Sequence, residues 1–209
     1  MSGPGRYPVP AGEHRAELVV QRSRFIATVA PAPTTEAASE FVKRISAEFA
    51  DATHNCWAFV AGPPGSTGHI GMSDDGEPHG TAGRPMLTVL LHGGVGDIAA
   101  VITRYYGGTK LGTGGLARAY GGALQLAMHD LPLGERVELV ALAVTVDYGA
   151  VDALRQLLPA HEAQLVDERY IEAVTYELRL PAAREDAFRQ AVLDATRGRA
   201  RIERPDAED

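Results

Sequence analysis

Beyond residue 137 the apolar residues alternate, then recur at helical spacing, then alternate again, and that succession of periods leaves few folds open. "ELVALAVTVDY" alternates as a strand, "GAVDALRQLLP" turns Val151, Leu154 and Leu158 to one helical face, and "AQLVDERY" reads as a second strand. "AVTYELRLP" places Val174, Tyr176, Leu178 and Leu180 on one side of a third strand, "AREDAFRQAVLDA" is a helix, and "RARIE" a last strand. The order βαββαβ predicts a ferredoxin-like sandwich, in which one sheet face is covered by two helices.

The preceding part is less regular. "AELVVQRSRFIATVA" predicts two short strands about a turn at Gln21 to Ser23, and "PTTEAASEFVKRISAEF" a helix with Ala38, Phe41, Val42, Ile45 and Phe49 on one face, capped by Thr34 or Thr35. "CWAFVAG" reads as a strand, "PMLTVLLHG" as a short helix and "DIAAVITRYY" as a buried strand. Residues 63 to 85 show no period and read as one long loop. A helix from about Gly115 to Leu131 buries Leu116, Tyr120, Ala123, Leu124, Ala127 and Leu131, and "PLGER" reads as a linker. The division is therefore into domains 1–136 and 137–209, and the fold class is α+β.

Charge and cysteine content narrow the function. The net charge is −7, with 11 Lys or Arg against 12 Asp or Glu in residues 1–136 and 9 against 15 in the remainder. That balance excludes a uniformly basic nucleic-acid binder and predicts no sequence-specific DNA binding; a polyanion site would be a local patch in the first domain. A single cysteine, Cys56, excludes an internal disulfide framework. No apolar run is long enough to span a bilayer and the first residues lack a signal-peptide core, so the expected compartment is the cytoplasm, with no membrane partner.

The segment "RYYGGTKLGTGGLARAYGG", residues 104 to 122, has seven glycines in nineteen positions. "GTGGLA" matches the G-x-G-x-x-A form of a dinucleotide fingerprint, but "GGTKL" separates it from the preceding strand, and no acidic strand end follows for a ribose. What remains is an anion site: free N–H groups of Gly112, Thr113, Gly114 and Gly115 at a helix start, with Arg84, Arg104, Lys110 and Arg118 supplying charge. The alternative is a tight turn with close helix packing, which would also account for Gly121 and Gly122. The loop "SDDGEPHGTAGRP" adds Asp74, Asp75, Glu77 and Thr81, with His54 from "THNCW" as a candidate neighbour. The acidic triplet lacks the spacing of a calcium loop and no metal is expected; such carboxylates commonly hold turns. Cys56 opens an apolar strand and is expected to be structural rather than a nucleophile. Arg197, Arg199, Arg201 and Arg204 alternate along the last strand, either as a second polyanion face or as a solvated face balanced by acids.

Taken together, "HNCWAF", "SDDGEPHGTAGRPML" and "VITRYYGGTKLGTGGLARAYGGA" resemble the YigZ/IMPACT family, in its bacterial YigZ-like branch. The resemblance implies a first domain similar to domain 2 of ribosomal protein S5 and a ferredoxin-like second domain similar to domain V of elongation factor G. It implies a connection with translation and carries over no catalytic residue and no cofactor. Small-molecule kinases of similar topology hold phosphate with a glycine-rich loop opening a helix, which suits Gly112 to Gly115, though their serine-rich loop is missing here. The expected function is a non-enzymatic binding protein that contacts RNA phosphates or a ribosome-associated protein. The alternatives are a small enzyme on a phosphorylated metabolite, with His54, Asp74 or Asp75 as acid and base, and a regulatory module acting through its second domain.

Overall fold

The computed structural model describes residues 5–205; the first four residues of the Gly/Pro-rich start and the last four of the chain lie outside the described part. It is a mixed α/β structure that divides into two compact units. The first holds residues 7–136 and the second residues 137–205 with residues 5 and 6.

The first unit is built on a five-stranded sheet. Its strands are β2 (His14–Val20), β3 (Ser23–Pro31), β4 (His54–Ala61), β5 (His69–Ser73) and β6 (Ile98–Tyr105), in the order β2-β3-β6-β4-β5. All neighbours are antiparallel. Helix α1 (Thr35–Glu48) covers one face, where Ala38, Phe41 and Ile45 meet Phe59, Ala99 and Val101. Helices α2 (Gly83–His92) and α3 (Gly112–His129) cover the other, where Met86, Leu90, Tyr120 and Leu124 meet Phe25, Cys56, Ala100 and Ile102. With both faces covered, the central strand β6 is buried at every position from Ile98 to Arg104, which explains its unbroken apolar run. The Thr34 side chain accepts the Ala37 N–H and fixes the start of α1.

Three expectations are corrected here. The stretch 63–85 is not one loop: it contains β5, whose five residues are too few and too glycine-interrupted to show a period. At Gly71 a Cβ would lie 2.3 Å from Phe59 Cε1, so the strand can pass the β4 aromatics only with a glycine there. Helix α3 starts at Gly112 rather than Gly115, its first turn hidden by poor helix formers. "PLGER" is not a free linker but most of strand β7 (Leu133–Val137), which pairs with β1 (Arg6–Pro10).

The second unit has the βαββαβ order: β8 (Leu139–Val146), α4 (Val151–Ala160), β9 (Gln164–Tyr170), β10 (Val174–Pro181), α5 (Glu185–Thr196) and β11 (Arg201–Glu203). Sheet order β11-β8-β10-β9, with antiparallel neighbours throughout, is the ferredoxin-like arrangement. Val174, Tyr176, Leu178 and Leu180 are buried on one side of β10 and pack with Leu142, Val144, Leu154, Phe188 and Val192. The arginines near the end do not align on one strand face, because β11 is only three residues long. Arg197 sits in a left-handed cap of α5, while Arg199, Arg201 and Arg204 pair with Asp147, Glu203 and Glu185. Neighbouring acids thus neutralise three of the four charges.

Candidate functional site

The end of β6 and the entry to α3 border a cleft of about 500 Å³ within the first unit. One wall is Thr53 and His54 at the start of β4, and another is Glu77 and Pro78 of the 74–82 loop. Arg104 and Tyr106 come from the end of β6, and Lys110 to Thr113 with Leu116 from the α3 entry. Of the residues singled out in the sequence, His54, Glu77, Arg104, Lys110, Gly112 and Thr113 therefore meet around one space. Gly114, Gly115 and Arg118 on α3, and Arg84 on the first turn of α2, do not line it.

The glycines that shape the entry act in different ways. At Gly107 a Cβ would come 2.1 Å from the carbonyl carbon of Arg22, so only bare backbone can pass the β2–β3 turn; its N–H is bonded to the Ser23 hydroxyl at 3.1 Å. Gly112 has φ +69° and lets the chain turn into the helix. No side chain caps α3 at Leu111, so the N–H groups of its first turn are not taken by a capping oxygen. Lys110 is exposed beside them and, among the described residues, has no acidic partner.

The floor is a buried polar chain. Glu77, with 3% of its side chain exposed, accepts a hydrogen bond from Arg104 Nη1 and another from the Tyr120 hydroxyl at 2.8 Å, both on Oε1. Arg104 is 5% exposed, and its guanidinium lies over the rings of both Phe25 and Tyr106, 5.4 and 5.5 Å from their centroids. Its charge is therefore matched within the protein, which corrects the expectation that Arg104 adds free positive charge. His54 Nδ1 donates to the Asp75 carbonyl at 2.7 Å, which fixes the tautomer and leaves Nε2 4.0 Å from Glu77 Oε1.

The other loop carboxylates are occupied structurally. Asp74 accepts backbone N–H bonds from Gly80, Ala82 and Gly83, and so caps α2 from outside the helix. Desolvation pushes its carboxyl up, but these three bonds outweigh that and hold it below its ordinary value. Asp75 accepts the Asn55 N–H at 2.6 Å, and Thr81 is buried with its hydroxyl donating to the Pro78 carbonyl. Among the described residues no group of three acidic, histidine or cysteine side chains is placed to hold a metal ion. Cys56 is buried 2.9 Å from the Asp74 carbonyl and 3.3 Å from the Tyr120 hydroxyl. Burial pushes its thiol up to about 12, which suppresses the thiolate that a nucleophile requires.

Tyr106 at the cleft is missed by sequence reading, and Tyr120 beneath it is read only as a core residue. Tyr120 has the spacing of an ordinary core residue, though a buried tyrosine needs an acceptor and Glu77 supplies it. Tyr106 carries one signal: it follows the last residue of a buried strand and precedes a glycine turn, where a side chain leaves the sheet.

A two-unit α/β chain with this cleft in its first unit agrees with the domains that the sequence matches: the Impact N-terminal domain over residues 21–128 and a domain of unknown function, DUF1949, over residues 144–199. The chain belongs to the IMPACT family. It is 40% identical over 190 residues to IMPACT family member YigZ of Escherichia coli K12, covering 91% of this chain and 93% of that protein. To IMPACT family member YvyE of Bacillus subtilis it is 37% identical over 193 residues, 92% of this chain and 87% of the relative. A crystal structure of a hypothetical protein, 37% identical, aligns with a TM-score of 0.69 over 98% of this chain and 99% of its own.

Proposed function

We propose that this protein is a non-enzymatic binding protein of the translation apparatus that takes an RNA phosphate at the entry to α3. The observation that carries the reading is the uncapped start of α3 beside Lys110 in a cleft. Bare N–H groups, a helix dipole and a lysine without an acidic partner among the described residues attract an anion but do not specify sequence. The near-neutral charge of residues 1–136 makes this a local contact and not a basic surface. Among the described residues no helix is long and apolar enough to cross a membrane.

The test is RNA affinity as a function of salt for the full chain, with Lys110→Ala and Arg118→Ala alone and together. Lys110→Ala is expected to weaken binding and to flatten the salt dependence by roughly one unit of slope for every phosphate no longer neutralised, and Arg118, on α3 outside the cleft, should contribute less to both. Arg189→Ala, whose side chain pairs with Glu185 in the second unit, is the control and should change neither. Equal affinity and slope for all variants, or no binding by the parent at physiological salt, would remove the RNA reading and favour a protein partner.

One observation favours the enzymatic alternative: His54 lines the same cleft, with Nδ1 engaged by the Asp75 carbonyl and Nε2 not so engaged. Asp74 and Asp75 are tied up in turn and cap bonds, so His54 is the acid–base group left from the set expected in the sequence. Saturable thermal stabilisation by one phosphorylated metabolite, with turnover abolished in His54→Ala, would select this alternative.

A further inference from the structure

Resting on the reading above, we propose that the cleft receives one nucleotide unit, with its phosphate at the α3 entry and its base stacked on Tyr106. The phosphate half is the anion site already described. The other half follows from what surrounds it.

A site meant for phosphate alone would not be floored by a carboxylate. Glu77 takes both of its protein hydrogen bonds on Oε1, and among the described residues nothing donates to Oε2. Arg104, 5% exposed, lines the same cleft with its charge held by Glu77, while its Nε is buried and, among the described residues, has no hydrogen-bond partner. The unbonded Oε2 of Glu77 suits a ligand that is anionic at one end and donates a hydrogen bond at the other. A ribose hydroxyl or a base amino group does this.

Tyr106 supplies the third feature. It is 47% exposed, and the Arg104 guanidinium lies over its ring at 5.5 Å from the centroid, as it does over Phe25 at 5.4 Å. The cation–π contact with Arg104 anchors an aromatic ring at the edge of the cleft, and such a ring accepts any base by its π-face. About 500 Å³ is within the range of small-molecule sites and too confined for a stacked duplex, so the base must be unpaired. The source is either single-stranded RNA or a free mononucleotide.

The experiment uses the full chain with a short labelled single-stranded RNA, the same strand in a duplex, and adenosine monophosphate as the free nucleotide. Tyr106→Ala is expected to weaken single-strand binding by about tenfold or more, while Tyr106→Phe stays within about twofold of the parent. Duplex binding should be weaker in the parent and indifferent to Tyr106, and the mononucleotide should compete with the single strand. Tyr106→Phe keeps the ring and separates stacking from folding. If Lys110→Ala weakens RNA binding and Tyr106→Ala does not, the nucleotide proposal falls while the RNA reading stands. If the parent binds no RNA but is saturably stabilised by the mononucleotide in a Tyr106-dependent manner, the proposal holds and the translation reading falls. Binding of neither overturns both.

Discussion

The two larger sheets of this protein bury their strands differently. In the first unit, helices lie on both faces and the middle strand β6 has no solvent side; in the second, α4 and α5 cover one face, and β10 alternates between buried and partly exposed positions along its length. Double cover has a chemical consequence. A polar side chain at the end of β6 is carried into the interior, where Arg104 must find Glu77, whereas the charged residues of the second unit's open face, Glu177 and Arg169, pair in reach of water. Buried polar chemistry in the first unit is thus a product of its layering.

The largest expected effect comes from breaking that buried pair. Glu77→Ala strands the Arg104 guanidinium and removes the acceptor of Tyr120, and should cost about 3–5 kcal/mol. In the second unit Glu168→Ala, which removes a half-exposed pair with Arg155, should cost less than about 1 kcal/mol. The one tryptophan, Trp57, lies in the first unit, so urea denaturation followed by its fluorescence reads that unit alone, while circular dichroism reads both, and the second unit's transition is the part of the dichroism change that fluorescence does not share. Comparable destabilisation by the two substitutions would erase the distinction.

A second measurement tests the layering itself. Val101 and Ile102 are adjacent on β6, point to opposite faces and are both fully buried, so alanine at either should destabilise by roughly 2–4 kcal/mol. On β10 only alternate positions should matter: Leu178→Ala should cost a similar amount, and the exposed neighbour Arg179→Ala within about 0.5 kcal/mol. A tolerant Val101 would mean that α1 covers its face loosely.

The same contrast explains what is legible in the sequence. Alternation makes the second unit readable down to the inward set on β10, and the unbroken run of β6 is readable as a buried strand. β5 is not, because its Gly71 is dictated by Trp57 and Phe59 on the neighbouring strand, a constraint that no local pattern carries. β7 escapes notice because its partner β1 lies more than a hundred residues away and neither strand alternates. Half of the candidate site is visible as residue types suited to anions. That Glu77 would neutralise Arg104, and that Asp74 would cap α2, depends on loop geometry.

Smaller in effect is the cap. Because the Asp74 carboxyl is held below its ordinary value, its contribution to stability is present above the usual carboxylate range and is lost as pH falls through the lowered value. Asp74→Asn should therefore cost about 1–2 kcal/mol at neutral pH, with the gap to the parent closing in acid. Thermal melts at several pH values would show it, and a gap constant with pH would assign the loss to shape. The smallest expected effect is a gain. An added Cβ at Gly121 meets only Val89 Cγ2, at 4.0 Å, so packing does not require this glycine, and Gly121→Ala should stabilise by about 0.5–1 kcal/mol in the same melts. A lowered melting temperature would show that α2 and α3 must approach each other more closely than these positions indicate.

The contact at Gly107 reaches beyond the cleft. An exposed two-residue hairpin tip is ordinarily where a chain accepts an inserted peptide, a dye or new termini. Here the tip at Gln21 and Arg22 is keyed to the segment that presents Lys110, through Gly107 against the Arg22 backbone, the Ser23 hydroxyl and the 3.4 Å contact of Arg22 with Thr109. A reporter grafted at that tip would not be a bystander: it would displace the α3 entry, and its signal would track occupancy of the cleft.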